Sequence, residues 1–157
     1  MVRCETQLQH CKIFKSVNQR RKNIFIIEDD QVYAKSLEIF IKHRFPGIGE
    51  ISIFSIGEMS LMELHRNPGI VIIDYVLNSK FEEAHNGAEI IERIKAQKPQ
   101  TNIIVLSARE KFEAVLEKIK QYGCIYVKKD QEAFNKIEES IREILGRSNN
   151  LVFEPWN

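Results

Sequence analysis

The sequence is short of the features that would tie it to a secreted, membrane-bound or nucleotide-binding class. Its three cysteines, Cys4, Cys11 and Cys124, are an odd number without framework spacing, so the fold does not rest on disulfides and the usage fits a reducing cytosol. Cys4, His10 and Cys11 lack the further ligand motif that would complete a four-coordinate zinc site. No apolar run exceeds strand length and the N-terminus has no apolar core, which argues against a standard secretion signal and against a spanning helix. Neither G-x-x-x-x-G-K nor G-x-G-x-x-G occurs, so no phosphate-cradling glycine loop marks a nucleotide enzyme. An excess of either charge is missing too. The 23 Lys+Arg and 22 Asp+Glu leave a formal net charge of +1, too little for general affinity for nucleic acid or an anionic membrane.

What remains is the composition of a globular domain, 43% hydrophobic and 29% charged in 157 residues, enough for one core and too short for two full domains. The balanced total hides a basic arm. Residues 1–22 hold six basic residues and one acid, Glu5, ahead of a mildly acidic body. The expected organisation is a flexible N-terminal extension over 1–21, a folded domain over 22–146 and a short tail over 147–157.

Short apolar runs alternate with amphipathic stretches. The runs are Asn23–Ile27, Ile51–Phe54, Ile70–Ile73, Asn102–Leu106 and Ile125–Val127, nearly continuous in Ile and Val, as parallel strands buried on both faces require. Tyr33, Leu37, Phe40 and Ile41 recur at helical spacing after the first run, with Asp30 placed to cap that helix. Met59, Leu61, Met62 and Leu64 predict a second helix closed by Pro68-Gly69. Ile90, Ile91 and Ile94 predict a third, opened by Asn86 with Glu89 three residues on. Phe112, Val115, Leu116 and Ile119 predict a fourth that stops at Gly123; Phe134, Ile137, Ile141 and Leu145 predict a fifth that stops at Gly146. Five strands alternating with five helices make an α/β fold, a doubly wound five-stranded parallel sheet with helices on both faces.

In such a sheet ligands bind beyond the carboxyl ends of the strands, where the strand order reverses. The first run ends in Glu28-Asp29-Asp30, the third in Asp74, the fourth in Ser107, and the fifth leads into Lys128-Lys129. Acids, a hydroxyl and a lysine therefore converge on one edge. Glu28, Asp29 and Asp74 offer the hard oxygen donors that magnesium prefers, and Asp74 can serve as a carboxylate nucleophile toward phosphorus. A lysine ammonium and a serine hydroxyl supply the charge neutralisation and hydrogen bonding that phosphoryl transfer mostly needs. Singly, each has a plainer role: a helix cap for Asp30 or Ser107, a turn for Asp74, a solvated charge for either lysine.

Taken in order, Ile24-Phe-Ile-Ile-Glu-Asp-Asp30, Ile70-Val-Ile-Ile-Asp74, Ile103-Ile-Val-Leu-Ser-Ala108 and Tyr126-Val-Lys-Lys-Asp130 resemble the receiver domain of two-component response regulators. The resemblance spans Lys22 to Leu145, with 45 residues from Asp29 to Asp74 and 22 from Ser107 to Lys129. It implies a flavodoxin-like strand order 2-1-3-4-5. It implies Asp74 as phospho-acceptor and Mg2+ held by Glu28, Asp29, Asp74 and the backbone carbonyl of Val76. Ser107 and Tyr126 would be the switch pair and Lys129 the phosphate-pairing lysine, chosen over Lys128 because the family's switch aromatic lies three residues before it. Small Ala108 would leave its N–H open to a phosphoryl oxygen.

The implied function is a cytoplasmic phospho-accepting switch, not an enzyme beyond its own phosphorylation and dephosphorylation. It would be fed by a sensor histidine kinase or a histidine phosphotransfer protein, and would signal to a protein target without direct nucleic-acid binding or membrane insertion. The resemblance leaves a homodimer open. With twelve residues after Leu145, the expectation is a stand-alone receiver whose output face is the fourth helix, fifth strand and fifth helix, with Lys118, Lys120, Glu138 and Arg142 as candidate partner contacts. The chain departs from the family pattern at Asp130, where many members have proline, at a Gly123–Tyr126 segment one residue short, and at a polar insertion over Asn78–Asn86. Val76 and Arg109 offer nothing suited to hold a hydrolytic water, which predicts a long-lived phospho-Asp74. Two other classes compete: a phosphorylation-independent module with the same fold, and an aspartate-nucleophile phosphatase of the haloacid-dehalogenase type. The latter needs an acid where Val76 stands.

Overall fold

A computed structural model describes residues 21–77, 87–108 and 113–149. Expectations for residues 1–20, the 78–86 insertion, Arg109, Phe112 and residues 150–157 lie outside the described residues. The elements run β1 (Asn23–Ile27), α1 (Gln31–Arg44), β2 (Ile51–Phe54), α2 (Gly57–Met62), a 3-10 turn (Leu64–Arg66), β3 (Pro68–Asp74), α3 (Gly87–Gln97), β4 (Asn102–Ser107), α4 (Glu113–Gln121), β5 (Ile125–Lys128) and α5 (Ala133–Asn149). All strand pairs are parallel and the sheet order is β2-β1-β3-β4-β5, as expected.

Side chains alternate across each strand, so two cores form. Ile24, Ile26, Ile70, Ile72, Ile104, Leu106 and Val127 face α1 and α5, where Leu37, Ile41, Ile137 and Ile141 meet them. Phe25, Ile27, Val71, Ile73, Ile103 and Val105 face the other way, onto Ile90, Ile91 and Ile94 of α3 and Ile119 of α4. Each fully buried isoleucine contributes about 1.5–3 kcal/mol by leaving water. That double burial is why the strands read as unbroken Ile and Val rather than as an alternation.

Helix ends follow local chemistry. Asp30 caps α1, its Oδ1 accepting from the N–H groups of Val32 (2.9 Å) and Tyr33 (3.0 Å). Gly123 closes α4 at φ 65°, with its N–H bonded to the Lys120 carbonyl and that of Cys124 to the Ile119 carbonyl.

Three expectations are corrected. The second helix does not reach Pro68-Gly69: α2 ends at Met62, a 3-10 turn follows, and Pro68 instead opens β3, where a missing N–H is tolerated at a strand's first residue. Met59 and Met62 are 52% and 79% exposed, because so short a helix buries little beyond Gly57 and Ser60 and leaves the apolar contact to Leu61 and Leu64. The last helix does not stop at Gly146 but runs to Asn149. An Arg147–Glu143 pair one turn apart and the packing of Ile144 offset the cost of about 1 kcal/mol for a helical glycine. No peptide bond among the described residues is cis, the Lys129–Asp130 bond included.

Candidate functional site

The sheet order changes direction between β1 and β3, and both strands end there in acids. Glu28 follows β1 with the same facing as Ile24 and Ile26, and its N–H is held by the Phe54 carbonyl at 2.9 Å. Asp74 closes β3 with the facing of Ile70 and Ile72. The two carboxylates therefore emerge side by side, and Asp29 turns in beside them. Ligand atoms of Glu28, Asp29 and Asp74 all lie within 4.8 Å of one another, with Glu28 and Asp74 buried and Asp29 half-buried.

Lys129 reaches into this group from the turn after β5. Its Nζ lies 2.7 Å from Glu28 Oε2 and 2.7 Å from Asp74 Oδ2, and 4.3 Å from the centroid of the Tyr33 ring. Its N–H donates to the Ser107 carbonyl at 2.8 Å, which ties the turn to the end of β4. The other Asp74 oxygen, Oδ1, accepts from the Val76 N–H at 2.9 Å, and Glu28 Oε1 accepts from the Asp30 N–H at 3.2 Å. A cleft of about 440 Å3 opens over these groups, lined by Glu28, Asp29, Asp30, Asp74, Val76, Ala108 and Lys129.

Burial pushes the Glu28 carboxyl up to about 7; Asp74 adds to the rise, while Lys129 opposes it. For Lys129, burial works to lower the pKa, but hydrogen bonds to Asp74 and Glu28 outweigh it and carry it up to about 12. Three carboxyl groups against one ammonium leave a surplus of negative charge and of oxygen donors. That donor set fits a hard divalent cation such as magnesium.

Ser107 is at the end of β4 as expected, 2% exposed and paired in register with Lys128. It shares a sheet face with Val105 and Tyr126, the α3–α4 side, whereas Lys129 approaches from the α1–α5 side. Lys129 thus reaches Asp74 on the α1–α5 face, while Ser107 ends the neighbouring strand on the opposite face. The side chains of Glu138 and Arg142 are engaged at the C-terminal end of α1: Glu138 pairs with Arg44 at 3.2 Å, and Arg142 lies over the ring of Phe45, the residue that caps the helix, at 5.1 Å. Sequence reasoning placed Tyr33 only among core-facing residues and missed its contact with Lys129. Its position one turn after the cap was the available signal.

No curated protein matches the chain. Among solved structures, the BeF3-activated DrrB receiver domain is 24% identical over 81% of this chain and 99% of its own, with a TM-score of 0.63. A CheY-like response regulator receiver domain protein from Methanospirillum hungatei is 20% identical over 82% of this chain and 97% of its own, at 0.66. The signal receiver domain of a DNA-binding response regulator from Colwellia psychrerythraea is 23% identical over 80% and 98%, at 0.67. These likenesses establish the shared fold. The family model for the response regulator receiver domain matches residues 24–142. On that match the chain belongs to the response regulator receiver domain family, the receiver module of two-component signalling.

Proposed function

We propose that the chain is a magnesium-dependent receiver in which Asp74 accepts a phosphoryl group from phosphohistidine. The observation that carries this reading is the pairing of Lys129 Nζ with both Asp74 and Glu28 inside a cluster of three carboxylates. Attack by an Asp74 carboxylate oxygen forms an O–P bond as the N–P bond of the donor imidazole breaks, the nitrogen keeping the electron pair. Lys129 then pairs with a phosphoryl oxygen and Ser107 donates a hydrogen bond to another. Glu28, Asp29, Asp74 and the Val76 carbonyl would hold magnesium, which supplies neutralisation of the incoming phosphoryl charge.

The donor is a sensor histidine kinase or a phosphotransfer protein, which places the chain in the cytoplasm. Beyond its own phosphorylation and dephosphorylation it performs no catalysis. Output passes by protein contact on the α4–β5–α5 face, with Ser107 and Tyr126 as the bistable pair. Among the described residues no helix is long and apolar enough to cross a membrane. The phosphatase alternative is weakened because Val76 lines the cleft where that chemistry requires an acid.

Mass spectrometry after treatment with acetyl phosphate and magnesium should show one added phosphoryl group, absent in Asp74→Asn and suppressed in Asp29→Asn or by chelation. Labelling of Asp74→Asn at the wild-type rate refutes the acceptor assignment. No labelling of the wild type favours the phosphorylation-independent module.

A further inference from the structure

Among the described residues three groups lie at the Lys129 ammonium, and two of them belong to the carboxylate cluster. A divalent cation drawing on Glu28 and Asp74 competes with the ammonium for those oxygens. The third neighbour, the face of Tyr33, lies 4.3 Å from Nζ, within the range of a cation–π contact, and is no ligand for a hard cation. The ring is itself fixed. Asp30 anchors the Tyr33 N–H, and Phe134 of α5 meets the ring edge-on at 5.4 Å and 77°, with Phe40 packed behind Phe134 at 5.2 Å. The Tyr33 hydroxyl is buried without a hydrogen-bond partner among the described residues, so it is the ring that serves the site.

We propose that Tyr33 is a positioning residue, whose ring face keeps the Lys129 ammonium over the cleft while the carboxylates turn to a divalent cation. This rests on the phosphoryl-accepting reading above and adds a residue to that machinery. It predicts that the ring is required and the hydroxyl is not.

Two variants and two measurements test it. In NMR spectra, the Cε protons of Lys129 should show an upfield ring-current shift in wild type and Tyr33→Phe, with and without magnesium ion, and lose it in Tyr33→Leu. With acetyl phosphate and magnesium, Tyr33→Phe should label within about twofold of wild type and Tyr33→Leu about threefold to tenfold more slowly, the scale of a partly desolvated cation–π contact. In a Lys129→Met background, Tyr33→Leu should slow labelling no further. Equal defects in Tyr33→Phe and Tyr33→Leu, or a full further loss in the Lys129→Met background, overturn the proposal. So does disappearance of the wild-type ring-current shift on adding magnesium. Absence of labelling in the wild type instead strikes the phosphoryl-accepting reading, and the magnesium spectra still decide the role of Tyr33.

Discussion

Glu28 is 1% exposed, and its nearest counter-charge comes from Lys129, 101 positions along the chain. A buried carboxylate deprived of its cation keeps its desolvation cost and loses the compensating attraction. Lys129→Met should therefore destabilise the metal-free protein by about 1–3 kcal/mol above pH 7, where Glu28 is charged, and by less below it, where the carboxyl takes up a proton, measured by denaturant unfolding in the presence of a chelator. Added magnesium should recover part of that loss. An unchanged unfolding midpoint would mean that the ammonium contributes nothing to the unliganded fold. The sequence placed the two acids and the lysine at the same sheet edge because all three follow strand-sized runs. It could not show that the ammonium bridges Glu28 and Asp74 and lies on Tyr33, because those contacts depend on side-chain directions set by four separate elements.

At the scale of elements, α3 begins hard against the exit of the acceptor strand. A Cβ on Gly87 would lie 2.8 Å from both the Cα and the carbonyl oxygen of Tyr75, and 3.0 Å from the Asp74 carbonyl oxygen. These are backbone atoms, which cannot swing aside as a long side chain can. Gly87→Ala should cost about 1–3 kcal/mol of stability and slow acetyl-phosphate labelling, since relief of the clash moves the backbone that carries Asp74. A labelling rate equal to wild type would show that the acceptor segment tolerates the shift. Helical periodicity was a good guide to α1, where Leu37 and Ile41 are fully buried, and a poor one to α2, where Met59 and Met62 face solvent. The difference is length. Fourteen residues impose a stripe on the core, whereas six can satisfy one contact with Leu61 and leave the rest outside.

Over the whole molecule, the site draws on β1, β3, β4 and the turn after β5, so a cation bound there acts on the stability of the entire sheet. At about 100 times its dissociation constant, magnesium should stabilise the fold by about 2.7 kcal/mol and raise Tm accordingly, an effect that Asp29→Asn should largely abolish. A magnesium-independent Tm in the wild type would argue against occupancy of the carboxylate cluster. The sequence alone determined the alternation of elements, the double-sided burial of the sheet and the acidic strand ends, because hydrophobic period and strand-end chemistry are written in neighbouring residues. It also carried the resemblance from which the order 2-1-3-4-5 followed. Only the tertiary structure decided that α5 runs past Gly146, that Pro68 starts a strand rather than ending a helix, and that the Tyr33 ring lies against the Lys129 ammonium. Each of these depends on what a segment packs against, and packing partners far apart in the chain leave no local pattern to read.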